Sequence, residues 1–208
     1  MFKDLNYKII KSGSSGNCVI IENMMFDVGV SFNSIRKKLY DIKYLFITHK
    51  HTDHLNVTTF HKIKQEFPRI KTIANWEVAE KVAIDYIIGD ESMLTFDDMT
   101  INSFPCVHDV VCHGFTIKKG DLDIIYATDT TTLDFAPNRK YDYFFIESNH
   151  DENKIKQIQN NSRKLYGYNA WEGAMRHFST QKSKAFYYLN RKSKESEWIE
   201  LHKSGRFY

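Results

Sequence analysis

At 208 residues, with 42% hydrophobic and 14% aromatic side chains, the chain can bury a full core, and one domain spanning 1–208 is expected. A formal net charge of +3 is too small to argue for any partner by itself. The longest apolar runs, such as Tyr143 to Ile146, fall far short of a membrane span, and Met1-Phe2-Lys3-Asp4 opens no secretory leader, so a cytoplasmic protein is expected. Cys18, Cys106 and Cys112 are odd in number and match no paired-cysteine zinc spacing, which points to reduced, packed thiols.

In chain order, the loop Ser12-Gly13-Ser14-Ser15-Gly16 separates two extended candidates, Tyr7 to Lys11 and Asn17 to Glu22, and Glu22-Asn23 turns into a third, Met24 to Val28. Ser31 can cap a helix reaching Leu39. A strand Tyr44 to Ile47 follows, then a helix from about Asn56 to Phe67 that stops before Pro68, a strand Ile70 to Ala74 and a helix from about Glu77 to Ala83. The second half is richer in hairpins: Thr100 to Phe104, then His113 to Lys118 turning through Lys119-Gly120-Asp121 into Leu122 to Ala127. Tyr143 to Ile146 reads as a buried strand, helices are expected over Glu152 to Asn160 and Thr180 to Leu189, and Glu197 to Leu201 is a last strand. Hairpins mixed with crossovers and helices imply layered sheets flanked by helices, the α/β class.

The segment His49-Lys50-His51-Thr52-Asp53-His54 packs three imidazoles and a carboxylate into six residues, directly after Tyr44 to Ile47. Residues two apart share a side of an extended chain and lie on nearly opposite sides of a helix, so only an extended loop lets His49 and His51 meet one ion. A tight turn at Thr52-Asp53 must then swing His54 round to join them. Elsewhere, acid or imidazole repeatedly follows an apolar run: Asp27 after Phe26, His108 after Val107, Asp129 in Ala-Thr-Asp-Thr, Glu147 after Ile146, and His202 after Leu201. Such repetition favours one shared site along a sheet edge.

In order and context these residues resemble the metallo-β-lactamase fold superfamily, specifically its phosphodiesterase and nuclease branch. SGSSGNC (Ser12 to Cys18) is similar to the opening loop of single-domain exonuclease-like members, and His49 to His54 match the superfamily signature. The resemblance implies an αββα sandwich, two mixed sheets packed together with helices on the outer faces. It also implies two divalent ions, Zn²⁺ first and Mn²⁺ as the other candidate, with His49, His51 and His108 on one, Asp53, His54 and a last histidine on the other, and Asp129 bridging. LHKSGRFY resembles the terminal ligand segment of RNase Z, which makes His202 that last ligand; His177 then pairs with Glu147 as proton donor, the alternative being His177 as ligand. Asp27 before Gly29 resembles the first motif of the superfamily, an aspartate fixing the histidine loop from behind, though a plain turn aspartate beside glycine reads the same way.

The function so implied is a two-metal hydrolase cleaving phosphodiester bonds through a metal-bridging hydroxide, with Asp53, Glu147 and His177 in the catalytic machinery. Ser14, Ser15 and Asn17, with the backbone of Gly16, can receive phosphate oxygens, or the loop is merely a flexible hairpin. The competing classes are an ester, lactone or thioester hydrolase on the same scaffold, and a non-catalytic nucleic-acid-binding protein stabilised by metal. From Lys154 to Lys194 ten basic residues face one acid, Glu172, with interleaved aromatics, which suits a polymeric nucleic acid or else two solvated helices. Against a polymer, Asp129 to His177 leaves no room for the clamp domain of larger relatives, and the chain has only 3 Pro and no RNase Z-like arm. A compact phosphodiesterase acting on DNA ends, short RNA or cyclic nucleotides is left. His61, His113 and His150 are expected to be non-ligands. The resemblance also suggests paired subunits, with Arg206-Phe207-Tyr208 able to take part.

Overall fold

The computed structural model describes residues 5–96, 99–159 and 169–208. The chain divides into two compact units, Met1–Gly89 and Asp90–Tyr208, each built on its own six-stranded mixed sheet. No helix among the described residues is long and apolar enough to cross a membrane.

In the first unit the strands β1 (Tyr7–Lys11), β2 (Cys18–Ile21), β3 (Met24–Phe26), β4 (Tyr44–Ile47), β5 (Lys71–Asn75) and β6 (Tyr86–Ile88) lie side by side in sequence order. The first three form an antiparallel meander, and β3 to β6 are parallel. Because β4 is central and parallel to both neighbours, all four of its residues are buried, which explains its unbroken apolar run. Helix α2 (Val57–Glu66) begins where the Asn56 side chain accepts the Thr59 N–H at 3.0 Å, and it presents Phe60 and Ile63 to the core. The expected Ser31–Leu39 helix is shorter. Ser31 makes no capping bond, and Ser34 turns its hydroxyl back to the Ser31 carbonyl at 2.6 Å, so α1 is one turn (Phe32–Ile35) that tightens into a 3₁₀ segment, Arg36–Asp41. Helix α3 occupies Trp76–Ala79.

The second unit orders its sheet β12-β11-β10-β9-β8-β7. Here β7 is Met93–Phe96, β8 Met99–Cys106, β9 Cys112–Lys119, β10 Leu122–Ala127, β11 Tyr143–Glu147 and β12 Glu197–Leu201. The hairpins β7–β8, β8–β9 and β9–β10 are antiparallel, whereas β10, β11 and β12 run parallel. Parallel neighbours need crossovers, and these carry α4 (Glu152–Ile158), α5 (Ala170–Ala174) and α6 (Thr180–Asn190). Asp151 caps α4 by accepting the Asn153 and Lys154 N–H groups, and Ser179 caps α6 at the Lys182 N–H. Phe144, Ile146, Ile125 and Tyr141 anchor the buried core, with Phe178 and half-buried Phe186 against it. Strands β6 and β7 and helix α5 had no sequence expectation. Asn160, Arg163, Lys164, Tyr166 and Tyr168 lie outside the described residues, as do Met1 to Asp4.

Candidate functional site

In the first unit the chain leaving β4 carries Thr48 and His49 to His54, beside the end of β3. Asp27 follows β3 with φ 63°, a left-handed backbone that turns its side chain off the strand end, and it is fully buried. Its Oδ1 accepts the Thr48 N–H at 2.8 Å and its Oδ2 faces His54 Nδ1 at 2.8 Å, while the Thr48 hydroxyl stands 3.0 Å from both oxygens. A carboxylate only accepts, so His54 carries its proton on Nδ1 and presents the Nε2 lone pair. Thr48 has one hydroxyl proton. Given to Asp27, it leaves the Thr48 oxygen to accept from His49 Nδ1 at 3.0 Å, and the lone pair of His49 is likewise on Nε2. One buried carboxylate thus sets two imidazoles in the tautomer that binds a cation.

The turn closes where His54 N–H and Leu55 N–H both reach the His51 carbonyl, at 3.0 and 2.7 Å. His49 then stands 4.0 Å from His54 and 4.8 Å from His51, ring centre to ring centre. Gly29 permits the close approach, because a Cβ there would lie 1.6 Å from the Asp53 carbonyl oxygen. Gly16, at φ 142°, stacks on the same layer, its added Cβ being 2.3 Å from the Gly29 carbonyl oxygen.

Asn17 differs from its expectation as a phosphate ligand. It is buried; its N–H donates to the Asp53 carbonyl at 2.7 Å, its Oδ1 accepts from Gly13 at 2.8 Å, and its Nδ2 donates to His54 Nε2 at 2.8 Å, the same lone pair a cation on His54 would need, so an ion there would displace this bond. The Gly16 N–H is likewise committed, to the Gly13 carbonyl at 2.9 Å. Both residues brace the loop, and Ser14 and Ser15 are the exposed polar side chains of that turn. The sequence carried no sign of Thr48 as the bridge between Asp27 and His49.

In the second unit the parallel register aligns three strand ends. Glu147 ends β11 opposite Leu201, and His202 follows at once; Ala127 ends β10 opposite Ile146, with Asp129 two residues on. Asp129 and His202 both have φ 53°, and Asp129, Glu147 and His202 are all buried. Glu147 Oε1 lies 2.7 Å from His177 Nδ1 and 3.2 Å from His202 Nδ1, while its Oε2 accepts the Thr130 N–H at 2.9 Å and the Phe178 N–H at 3.3 Å. Asp129 Oδ1 is 3.5 Å from His202 Nε2, and also 3.5 Å from His177 Nδ1. Thus Asp129, Glu147, His177 and His202 each offer an atom within 4.8 Å of the others. His108, just past β8, joins this edge: the Val107 N–H donates to Thr130 Oγ1 at 3.0 Å, and the His108 ring lies 6.3 Å from that of His177.

Burial alone would push the Glu147 carboxyl up, but the facing charge of His177 and hydrogen bonds from His177 and His202 hold it below the ordinary value. Burial opposes charging of His177, yet Glu147, with help from Asp129, raises it above the ordinary imidazole value. The two directions agree: this pair favours carboxylate and imidazolium. Asn149 donates to the His202 carbonyl at 2.9 Å, a support that could have been suspected only from its place just beyond Glu147 in the same strand-end stretch.

The other histidines belong to neither donor cluster among the described residues. His61 is exposed on α2, His113 bonds Asp90 at 2.8 Å, and His150 is buried beyond β11. Cys18, Cys106 and Cys112 are buried thiols, not joined in a disulfide. Of the basic segment, Lys192 is held by Asp142 and Asp123 at 3.0 and 3.3 Å, and Arg191 lies 4.9 Å over the Tyr188 ring. The donors of both units, imidazole nitrogens and carboxylate oxygens without thiolate, fit Zn²⁺ or Mn²⁺.

No protein-family model matches the chain. Among curated proteins it is similar to exodeoxyribonuclease WalJ of Streptococcus pneumoniae, at 28% identity over 171 residues covering 70% of this chain and 62% of that protein. The chain therefore spans less than two thirds of this relative's length. Its fold matches the metallo-β-lactamase fold protein YhfI of Bacillus subtilis (TM-score 0.69, 14% identity, 96% of this chain and 86% of that one). It also matches human tRNase Z, short form (TM-score 0.68, 17% identity, 96% and 93%). Two mixed six-stranded sheets with helices, six strands in each unit, are the form this fold takes here, and the fold implies divalent metal ions on clustered histidines and aspartates. The chain has the metallo-β-lactamase fold, and in sequence it resembles a curated exodeoxyribonuclease.

Proposed function

We propose that the two units act as one metallo-hydrolase domain, cytoplasmic and acting on nucleic acid or nucleotides by cleaving phosphodiester bonds. In this reading His49, His51 and His108 hold one divalent ion, Asp53, His54 and His202 a second, and Asp129 serves both, with zinc the first choice and manganese the other. The observation that carries it is the His177–Glu147 pair at 2.7 Å beside Asp129 and His202. A phosphodiester leaves as an alkoxide and needs a proton, and an imidazolium maintained by a buried carboxylate is suited to give one. Glu147 accepts the hydrogen bond of His177 Nδ1–H, so Nε2 is the atom that protonates the leaving oxygen.

Division of labour between His177 and His202 follows from which ring nitrogen each presents, since both stand 3.5 Å from Asp129 Oδ1. His202 turns Nε2 to Asp129 and Nδ1 to Glu147, which leaves Nε2 as the nitrogen that would hold an ion. His177 faces both carboxylates with the same Nδ1, which is committed to Glu147 at 2.7 Å. When bound, the ions supply an activated water at neutral pH and neutralise charge gathering on the phosphate. Exposed Ser14 and Ser15 offer hydroxyls to phosphate oxygens. The similarity to WalJ, an exodeoxyribonuclease, supports DNA as the substrate to try first.

Chelator-stripped protein reloaded with Zn²⁺ or Mn²⁺ should hydrolyse bis(p-nitrophenyl) phosphate. Single-stranded DNA, RNA and cyclic nucleotides assayed in parallel would name the substrate. His177→Ala should lower kcat by about 10²–10⁴-fold, the worth of a general acid, at unchanged metal content. No turnover by wild type with either ion would overturn the reading; a His177→Ala loss shared equally by carboxylic esters would move it to the ester and thioester hydrolases.

A further inference from the structure

Beside His177 the second unit encloses a cleft of about 270 Å³ between α4, α5 and the start of α6, lined among others by Glu152, Ile155, Lys156, Trp171, His177 and Lys182. We propose that it seats the nucleobase on the leaving side of the scissile bond, a subsite that rests on the phosphodiesterase reading above. Position comes first. The cleft shares His177 with the proposed chemistry, and the group that protonates the leaving oxygen necessarily borders the leaving nucleoside.

Size and chemistry then select the occupant. The volume lies just below the roughly 300–1,000 Å³ of pockets for drug-sized ligands, so it suits one ring system with its sugar rather than a length of strand. Trp171 gives it a half-buried indole and Ile155 a buried aliphatic wall, surfaces on which a base can stack. Glu152 accepts the Ser179 hydroxyl through Oε1 at 2.7 Å, and its carboxylate has a second oxygen suited to an amino or ring N–H of a base. Exposed Lys156 and Lys182 set cations around the opening, where a neighbouring phosphate would lie. A separate observation points the same way. His150 also lines the cleft, is 2% exposed, and its Nδ1 has no hydrogen-bond partner among the described residues. Buried polar atoms of this kind usually find one, and a bound ligand can supply it directly or through water.

The test uses the full chain loaded with Zn²⁺ and two dinucleotides, each carrying adenine on one side of its single phosphodiester and a bare deoxyribose on the other. Wild type should cleave one about tenfold better in kcat/KM, the fold-change expected for a lost base–aromatic stack, with the difference residing mainly in KM. Trp171→Ala should erase that preference and Trp171→Phe should restore most of it. Circular dichroism melting establishes that each variant folds, and where Trp171→Ala does not, the wild-type preference and Trp171→Phe decide. Equal cleavage of both dinucleotides, or a preference untouched by Trp171→Ala, overturns the subsite and leaves the phosphodiesterase reading standing. Failure to cleave either dinucleotide or bis(p-nitrophenyl) phosphate removes both.

Discussion

In the first unit His49, His51 and His54 come from one turn of chain, and a single carboxylate beneath them, Asp27, bonds Thr48 and His54 directly. In the second unit Asp129, Glu147 and His202 come from three parallel strands, and the sheet register brings them level before any side-chain bond forms. The difference teaches where each cluster is vulnerable. A cluster local in sequence depends on a few buried side-chain bonds and one close backbone approach, whereas a cluster gathered by register has its positions fixed by the whole sheet.

The largest effect should come from Gly29→Ala. Its Cβ would meet the Asp53 carbonyl oxygen at 1.6 Å, and since that neighbour is backbone, the loop cannot yield. We expect a loss of about 3 kcal/mol or more in urea unfolding, the upper end for overpacking. Next, Asp27→Ala removes the acceptor for the Thr48 N–H and hydroxyl and for His54 Nδ1, and should cost about 2–3 kcal/mol, as leaving buried donors without an acceptor does. Glu147→Gln should be milder, about 1–2 kcal/mol, because the amide oxygen still accepts from Thr130 and Phe178. Equal losses for Asp27→Ala and Glu147→Gln would break the comparison.

The smallest effect sharpens it through pH. Glu147 is depressed below its ordinary 4.5, so its contribution is in place above that value and is lost as pH falls through the folded pKa. His177 is raised above its ordinary 6.5, so its contribution is in place below that value and is lost as pH rises through the folded pKa. The stability gap between metal-stripped wild type and Glu147→Gln should therefore be widest between about pH 4.5 and 6.5 and narrow on either side. A gap constant from pH 3 to 9, by about the precision of urea unfolding, would show that the pair carries no charge coupling.

What was legible in the sequence follows the same division. The His49–His54 cluster announced itself because histidines two apart can share one ion only on an extended chain, and β4, β10 and β12 match their expected limits: β4 is an unbroken apolar run, β10 is mostly apolar after a Lys-Gly-Asp turn, and β12 alternates Glu, Trp, Ile, Glu, Leu. Strands β6 and β7 were not legible. Ile87 is 62% and Met93 68% exposed: β6 has two exposed residues of three, and β7 alternates exposed with half-buried positions but places apolar Met93 on the exposed side, so neither shows the polar–apolar alternation of a half-buried strand in its sequence. Helix α5 is short and carries Gly173, a residue that argues against a helix. The expected αβ layering could be read from the alternation of elements, but the commitment of Asn17 to His54 and Asp53 could not, since a buried amide in a Gly-Ser turn leaves no periodic trace.

Asp27, Asp129 and His202 share a left-handed backbone, φ 63°, 53° and 53°, which residues with a Cβ adopt at a cost of about 1–2 kcal/mol each. Glycine at any of the three would relax the main chain and delete a candidate functional group. At Asp27 the buried bonds to Thr48 and His54 outweigh that relief, but at Asp129 and His202 selection for thermal endurance and selection for turnover should pull in opposite directions, and variants recovered under heat alone should accumulate glycine or asparagine there while losing catalysis.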